Sequence, residues 1–305
     1  MTTITILAWH MTPVSQANAN PAAAVRAVLS APDDQLNYGR AKLALDQIID
    51  PSIDAEATLA EVDRLAESAT TIAGPRAADG VKLSALQRVI YEGGAWNGNR
   101  PFGYDHSDPL GQNVRNKLLS TYLRTRRGNC VSMPILFLLV GDRMGLNLSL
   151  STAPLHVFVR YTAPTGRVMN IEAANGGHPT RDLWYREIMP MSDRAIESGL
   201  YLRTLTKREA IAHMATTVME FLMTEQRFQE AIDVAEVILQ NFPRDGYTMA
   251  KLGTAYAGLM RIEFVQRYPN PALIPDDMRG RYVMLAQRNQ QAFQSAEALG
   301  WEPMQ

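Results

Sequence analysis

The chain has 305 residues, 46% of them hydrophobic and 20% charged, which fits a folded globular protein with room for two or three modest domains. Lys plus Arg number 30 and Asp plus Glu 31, a net charge of -1, which excludes the basic excess of a nucleic-acid binder and a polybasic membrane surface. No apolar run approaches the roughly 20 residues of a membrane span, and the single cysteine, Cys130, excludes an intrachain disulfide and a cysteine-based zinc site.

Ile4 to Trp9 is a short apolar stretch, and Ala17-Asn18-Ala19 resembles the small-residue cleavage site of a secretory signal. The basic segment and longer apolar stretch of such a signal are missing. Residues 1–20 therefore read as a flexible terminus, with a signal remnant as the alternative. The cytoplasm is the expected compartment and a periplasmic or secreted location the alternative, since one cysteine survives either redox setting.

Residues 21–92 read as an N-terminal helical region. Apolar side chains recur at helical spacing through Val25, Val28 and Leu29, then Leu43, Leu45, Ile48 and Ile49, then Leu59, Val62 and Leu65. Pro32-Asp33-Asp34 and Asp50-Pro51-Ser52 punctuate them, and Leu83 to Tyr91 is a further short helix. Gly93 to Pro109, rich in Gly, Asn, Asp and Pro, is expected to be an irregular loop that opens a central region, residues 93–205.

Within that region Asn116 to Arg127 has a helical pattern ended by Gly128-Asn129. Cys130 to Met144 follows as a helix so apolar that it must be buried on most sides, with Pro134 tolerated in its first turn and Gly145 as its stop. Asn147 to Thr152, His156 to Tyr161 and Arg167 to Glu172 are short β-branched or alternating runs, the last two joined by a turn at Pro164-Thr165-Gly166. Helices return at Lys207 to Thr224, Phe228 to Asn241, Tyr247 to Met260 and Arg281 to Leu299. The expected class is α+β: a buried helix on a small antiparallel sheet, flanked by helices on both sides.

Residues 206–305 carry a repeat-like pattern. Ala231 and Pro243 fall at the spacing of the Ala and closing Pro of a tetratricopeptide unit, and Leu252-Gly253 with Tyr256 falls on the next unit. An insertion with Pro269, Pro271 and Pro275 interrupts that second unit. A plain helical hairpin that only buries the core is the competing reading, because stacked repeats need about three units for stability.

Three residues point to chemistry. Cys130 starts a helix, where the positive end of the dipole and the backbone N–H groups favour a thiolate and an oxyanion; alone it could equally be a small buried side chain. His156 opens a strand, and Glu172 ends the next one. Antiparallel neighbours joined by a short turn bring such positions together, and a carboxylate there fixes an imidazole tautomer. Nucleophile, base and orienter in the order Cys, His, Glu follow the logic of papain-like catalysis. The other histidines, His10, His106, His178 and His213, form no i, i+4 pair, so no metal is expected, and no glycine-rich nucleotide motif or phosphate loop implies a cofactor.

Asn116 to Arg160 resembles the SirB-type branch of the transglutaminase-like superfamily, which has a papain-like core. The resemblance runs through Asn116, Leu119, Leu123, Arg126-Arg127-Gly128-Asn129-Cys130-Val131-Ser132, Arg143-Met144-Gly145-Leu146, Pro154-Leu155-His156 and Arg160, without a gap. Asn170-Ile171-Glu172 and Gly176-Gly177 are similar to the family's acid and Gly-Gly segment. Leu155 departs from a family glycine, and Cys130 is kept where many relatives carry proline. The resemblance implies Cys130 as nucleophile, His156 as base and Glu172 as orienter. Asn129 and Asn116 are weaker candidates for substrate or oxyanion contact, with capping of the helix and support of the preceding loop as their plain alternatives. Ser132, in the first turn, is expected to satisfy a local N–H. The implied function is a cysteine peptidase or amidase, or an acyltransferase, acting on a peptide or protein. The alternative is a non-catalytic scaffold that binds a protein partner through its C-terminal helices.

Overall fold

The N-terminal region forms four helices, α1 (Pro21–Leu29), α2 (Tyr38–Ile49), α3 (Ala55–Ala73) and α4 (Asp79–Tyr91). Asn20, Asn37 and Asp54 cap the first three, each accepting backbone N–H groups on its side-chain oxygen. The computed structural model describes residues 20–303, so the apolar stretch Ile4 to Trp9 and the triplet Ala17-Asn18-Ala19 lie outside the described residues.

The stretch expected to be an irregular loop contains a 3-10 turn (Ala95–Asn97) and a two-residue strand, β1 (Gly103–Tyr104). Strand β1 pairs in parallel with β2 (Arg127–Gly128). Another 3-10 turn (Val114–Lys117) leads into α5 (Leu119–Thr125). That helix ends earlier than the sequence implies: Arg126 takes the left-handed conformation at φ 62°. Its cost is offset locally, since the guanidinium lies 4.1 Å over the Phe102 ring and bonds Glu61 at 3.1 Å. Gly128 is needed for space, because a Cβ there would sit 2.6 Å from the Tyr122 ring and 2.8 Å from Ser132 Oγ.

Helix α6 (Ser132–Arg143) is the centre of the core. Every residue from Ser132 to Gly141 is buried, and the helix packs against α3, α4, α5 and the sheet. Full burial of a Leu, Ile or Phe side chain contributes roughly 1.5–3 kcal/mol of transfer free energy. A helix with apolar residues on all sides satisfies that demand only when it is surrounded.

The sheet has four antiparallel strands in sequential order, β3 (Leu148–Ala153), β4 (His156–Thr162), β5 (Val168–Glu172) and β6 (His178–Thr180). The last was not expected from sequence; His178-Pro179-Thr180 is too short and too polar to signal a strand. Strand alternation places Val157, Val159 and Tyr161 in the main core, while Phe158 lies in a second, smaller core with Tyr185, Leu200 and Leu202. Helices α7 (Asp182–Ile188) and α8 (Asp193–Glu197) cover that face. The expected α+β class thus stands, with a second buried face on the sheet.

In the C-terminal region Lys207 to Thr224 is two helices, α9 (Lys207–Met214) and α10 (Thr216–Thr224), which meet at Ala215. Helices α11 (Phe228–Asn241) and α12 (Gly246–Met260) follow, then a single π-helical segment (Arg261–Val265), a proline-rich turn and the long α13 (Asp276–Ala298). Consecutive pairs α10–α11, α11–α12 and α12–α13 pack against each other, and α1 packs on α11. The N- and C-terminal helices therefore touch each other as well as the core. A buried Lys42–Asp46 pair at 2.5 Å ties them to the centre: Lys42 Nζ donates to the Lys117 carbonyl at 3.1 Å and Asp46 accepts the Leu119 N–H at 2.9 Å. Burial raises the pKa of Asp46, and the ammonium of Lys42 opposes that rise.

Candidate active site

Cys130 lies in the turn just before α6, not inside its regular part. The first helical bond runs from the Met133 N–H to the Asn129 carbonyl. Asn129 Oδ1 accepts from the Val131 and Ser132 N–H groups at 3.0 and 3.1 Å, and Ser132 Oγ accepts the Asn129 N–H at 3.1 Å. This reciprocal cap holds the Cys130 backbone in place. Asn129 is 1% exposed, and its Nδ2 makes no hydrogen bond among the described residues.

The β3–β4 turn faces Cys130. Leu155 in that turn takes a left-handed backbone at φ 51°, which accounts for a glycine being suited to the position. Its carbonyl accepts the Cys130 thiol at 3.7 Å, and its side chain is 59% exposed at the cleft mouth.

His156 and Glu172 meet across the sheet. The register pairs Val159 with Ile171, which sets Glu172 opposite Phe158 and diagonal to His156 on one face. His156 Nε2 donates to Glu172 Oε2 at 2.7 Å. With Nε2 taken, Nδ1 is the nitrogen left for the sulfur. Burial alone would lower the imidazole pKa; the hydrogen bonds and charges of Cys130 and Glu172 overcome it and raise it to about 9.

Glu172 is itself fully held. It is 2% exposed, its Oε2 also accepts the Tyr185 hydroxyl at 2.8 Å, and its Oε1 accepts the Ala174 N–H at 3.0 Å. Tyr185 is completely buried, stacked at 4.2 Å on Phe158, with the imidazole 5.9 Å away. Burial and the neighbouring carboxylate push its phenol well up, so it stays a donor. Sequence reading missed Tyr185 because a tyrosine in a short polar helix carries no catalytic signal. Its role is set by a contact 13 residues away.

The three expected residues Cys130, His156 and Glu172 are thus together, and Asn129 adjoins them. Asn116 is not brought in. Its Nδ2 donates to Asp108 Oδ2 at 2.9 Å and to Asp105 Oδ2 at 3.5 Å, so it braces the loop rather than lining the cleft. Among the described residues no group of three or more metal-ligating side chains converges.

Cys130 and His156 open into a cleft of about 280 Å³. One wall is the core; the other comes from the C-terminal helices. That second wall was not legible in the sequence. It carries His213 of α9, whose Nδ1 bonds Asp245 Oδ2 at 2.7 Å, and Glu220 of α10, which accepts Lys117 Nζ at 2.5 Å and the Tyr247 hydroxyl.

The comparisons with known proteins place the chain in a superfamily. The model of the transglutaminase-like superfamily matches residues 56–216, from α3 to the start of α10. A "UPF0162 protein" of Buchnera aphidicola subsp. Schizaphis graminum is 26% identical over 225 residues, 71% of this chain and 78% of its own. The "UPF0162 protein YchA" of Escherichia coli strain K12 is 28% identical over 145 residues, 46% of this chain and 53% of its own. "Protein SirB1" of Salmonella typhimurium is likewise 28% identical over 145 residues, with the same 46% and 53% shares. No solved structure matches this chain.

Proposed function

The chain belongs to the transglutaminase-like superfamily, and on that premise we propose that it is a cysteine-dependent amidase or peptidase. The observation that carries the reading is the His156 ring, bonded through Nε2 to a buried carboxylate and lining the same cleft as the chain's single cysteine. Orientation of the base by a fixed third group is what a nucleophile–base pair needs.

The Cys130 thiolate attacks the amide carbonyl carbon. The C–N bond then breaks, and the amine leaves with a proton from the His156 imidazolium. The resulting thioester is attacked by water, whose proton returns to His156 as the C–S bond breaks and the acid leaves. An amine in place of water would make the same site a transferase; hydrolysis is the preferred reading. The Cys130 backbone N–H and the free Asn129 Nδ2 are the donors suited to the oxyanion. Asn129 thereby combines the two roles its position allows, a cap through Oδ1 and a donor through Nδ2.

The scaffold reading has less support, because the C-terminal helices turn polar side chains into the same cleft instead of keeping a separate surface. Iodoacetamide labelling near pH 6 with mapping of the adduct tests the proposal. Cys130 is expected to label far faster than in the unfolded chain; labelling at the unfolded rate removes the activated thiol.

A further inference from the structure

The cleft wall opposite Cys130 has a polar pattern that the amide chemistry does not use. Its two buried carboxylates are already occupied. Asp245 accepts His213 Nδ1 at 2.7 Å and the Thr248 N–H at 3.2 Å. Glu220 accepts Lys117 Nζ and the Tyr247 hydroxyl, one on each oxygen. The donors, by contrast, are left over. His213 Nε2, the Tyr201 hydroxyl and Lys251 Nζ make no hydrogen bond or ion pair among the described residues, and all three residues line the cleft. His213 and Tyr201 are each only 8% exposed overall, so their free polar atoms are held by packed side chains and turned to the cleft. Glu302, the remaining acid of the lining, is exposed at the outer lip.

Resting on the amidase reading above, we infer that this wall is a substrate subsite for a carboxylate, held by His213, Tyr201 and Lys251 beyond the scissile amide. A neutral carbonyl would satisfy one donor; an ammonium, an imidazole and a phenol on one wall fit an anion with two oxygens and several lone pairs. Burial lowers the basicity of His213, but Asp245 and then Glu220 outweigh it and the net direction is up, which favours the ring form whose Nε2–H can donate into the cleft. The phenol of Tyr201 is pushed up by burial and by Asp245, so it donates. Lys251 Nζ lies 5.4 Å over the Tyr247 ring, which places the ammonium at the cleft wall.

The carboxylate could be a peptide C-terminus or an acidic side chain, and one experiment separates them. Cys130→Ser protein is titrated by calorimetry with N-acetyl-alanyl-alanine and its amide, and with the amides of N-acetyl-alanyl-glutamate and N-acetyl-alanyl-glutamine. The acid of one pair is expected to bind about tenfold tighter than its neutral partner, and that pair names the source. His213→Gln and Lys251→Met should each erase most of this preference; Lys251→Met, at a half-buried residue without an ion pair, guards against a folding defect in the former. Equal binding of acid and amide, no saturable binding by any of the four, or a preference that survives both substitutions overturns the subsite. Because Cys130→Ser has no nucleophile, this outcome is independent of the labelling rate that tests the amidase reading itself.

Discussion

Two imidazole–carboxylate pairs have the same 2.7 Å bond and both imidazoles line one cleft; the His156 pair is the one proposed to serve Cys130. His156 gives Nε2 to Glu172 and leaves Nδ1 free; His213 gives Nδ1 to Asp245 and leaves Nε2 free. Both rings are more basic than a free histidine despite burial: Cys130 and Glu172 raise His156, and Asp245 with Glu220 raises His213. What differs is the supporting cast. Both carboxylates cap a helix start through a backbone N–H, but Glu172 also holds the Tyr185 hydroxyl, whereas Asp245 has no tyrosine partner among the described residues. The lesson is that pair chemistry alone does not define a catalytic base. The group facing the free nitrogen does.

Replacing the sulfur should break this comparison most severely. Cys130→Ser is expected to abolish cleavage in a peptide-library assay, a loss of at least about a thousandfold, with the melting temperature nearly unchanged. Residual turnover near the wild-type rate would mean the first pair serves no nucleophile.

His156→Gln should follow, lowering turnover by about 10²–10⁴-fold and slowing iodoacetamide labelling of Cys130. An unaltered labelling rate would separate the ring from the sulfur.

The two pairs can next be set against each other by pH. Each imidazole is more basic folded than unfolded, so each contributes stability that is complete below the unfolded value of about 6.5. That contribution is lost as pH rises through the folded value, about 9 for His156. Denaturant unfolding at about pH 6, 8 and 9.5 should show falling stability in the wild type, and a shallower fall in His156→Gln and in His213→Gln. A slope unchanged by both substitutions would contradict the two charge assignments.

The smallest effect is expected at Tyr185→Phe, which keeps the stack on Phe158 and deletes one hydrogen bond to Glu172. A loss of about 1 kcal/mol in stability and roughly tenfold in turnover is expected, with the pH–rate profile displaced as Glu172 loses a donor. An unchanged profile would make the tyrosine merely a packing residue.

Several residues that carry the family resemblance build the frame. Gly128 leaves room for Tyr122 and Ser132, and Gly177 at φ 71° would place a Cβ 2.9 Å from Tyr91 and 3.0 Å from Phe137. Arg143 bonds Asp63 at 2.7 Å, and Arg160 bonds Asn170 and Asp182 at 2.9 and 2.6 Å. These residues shape the neighbourhood of Cys130 without touching it.

Local pattern was enough to read the buried α6, the strands β3 to β5, the α+β class and the candidate trio Cys130, His156 and Glu172. Each depends on spacing that the chain itself carries, whether hydrophobic period, turn residues or the reach of a short hairpin. Tyr185, the second wall of the cleft and the idle donors His213, Tyr201 and Lys251 depend instead on where α7, α9 and α12 come to rest. Those positions are fixed by burial against surfaces far away in sequence, such as α1 on α11, and no local period encodes which polar atoms are left facing the same space.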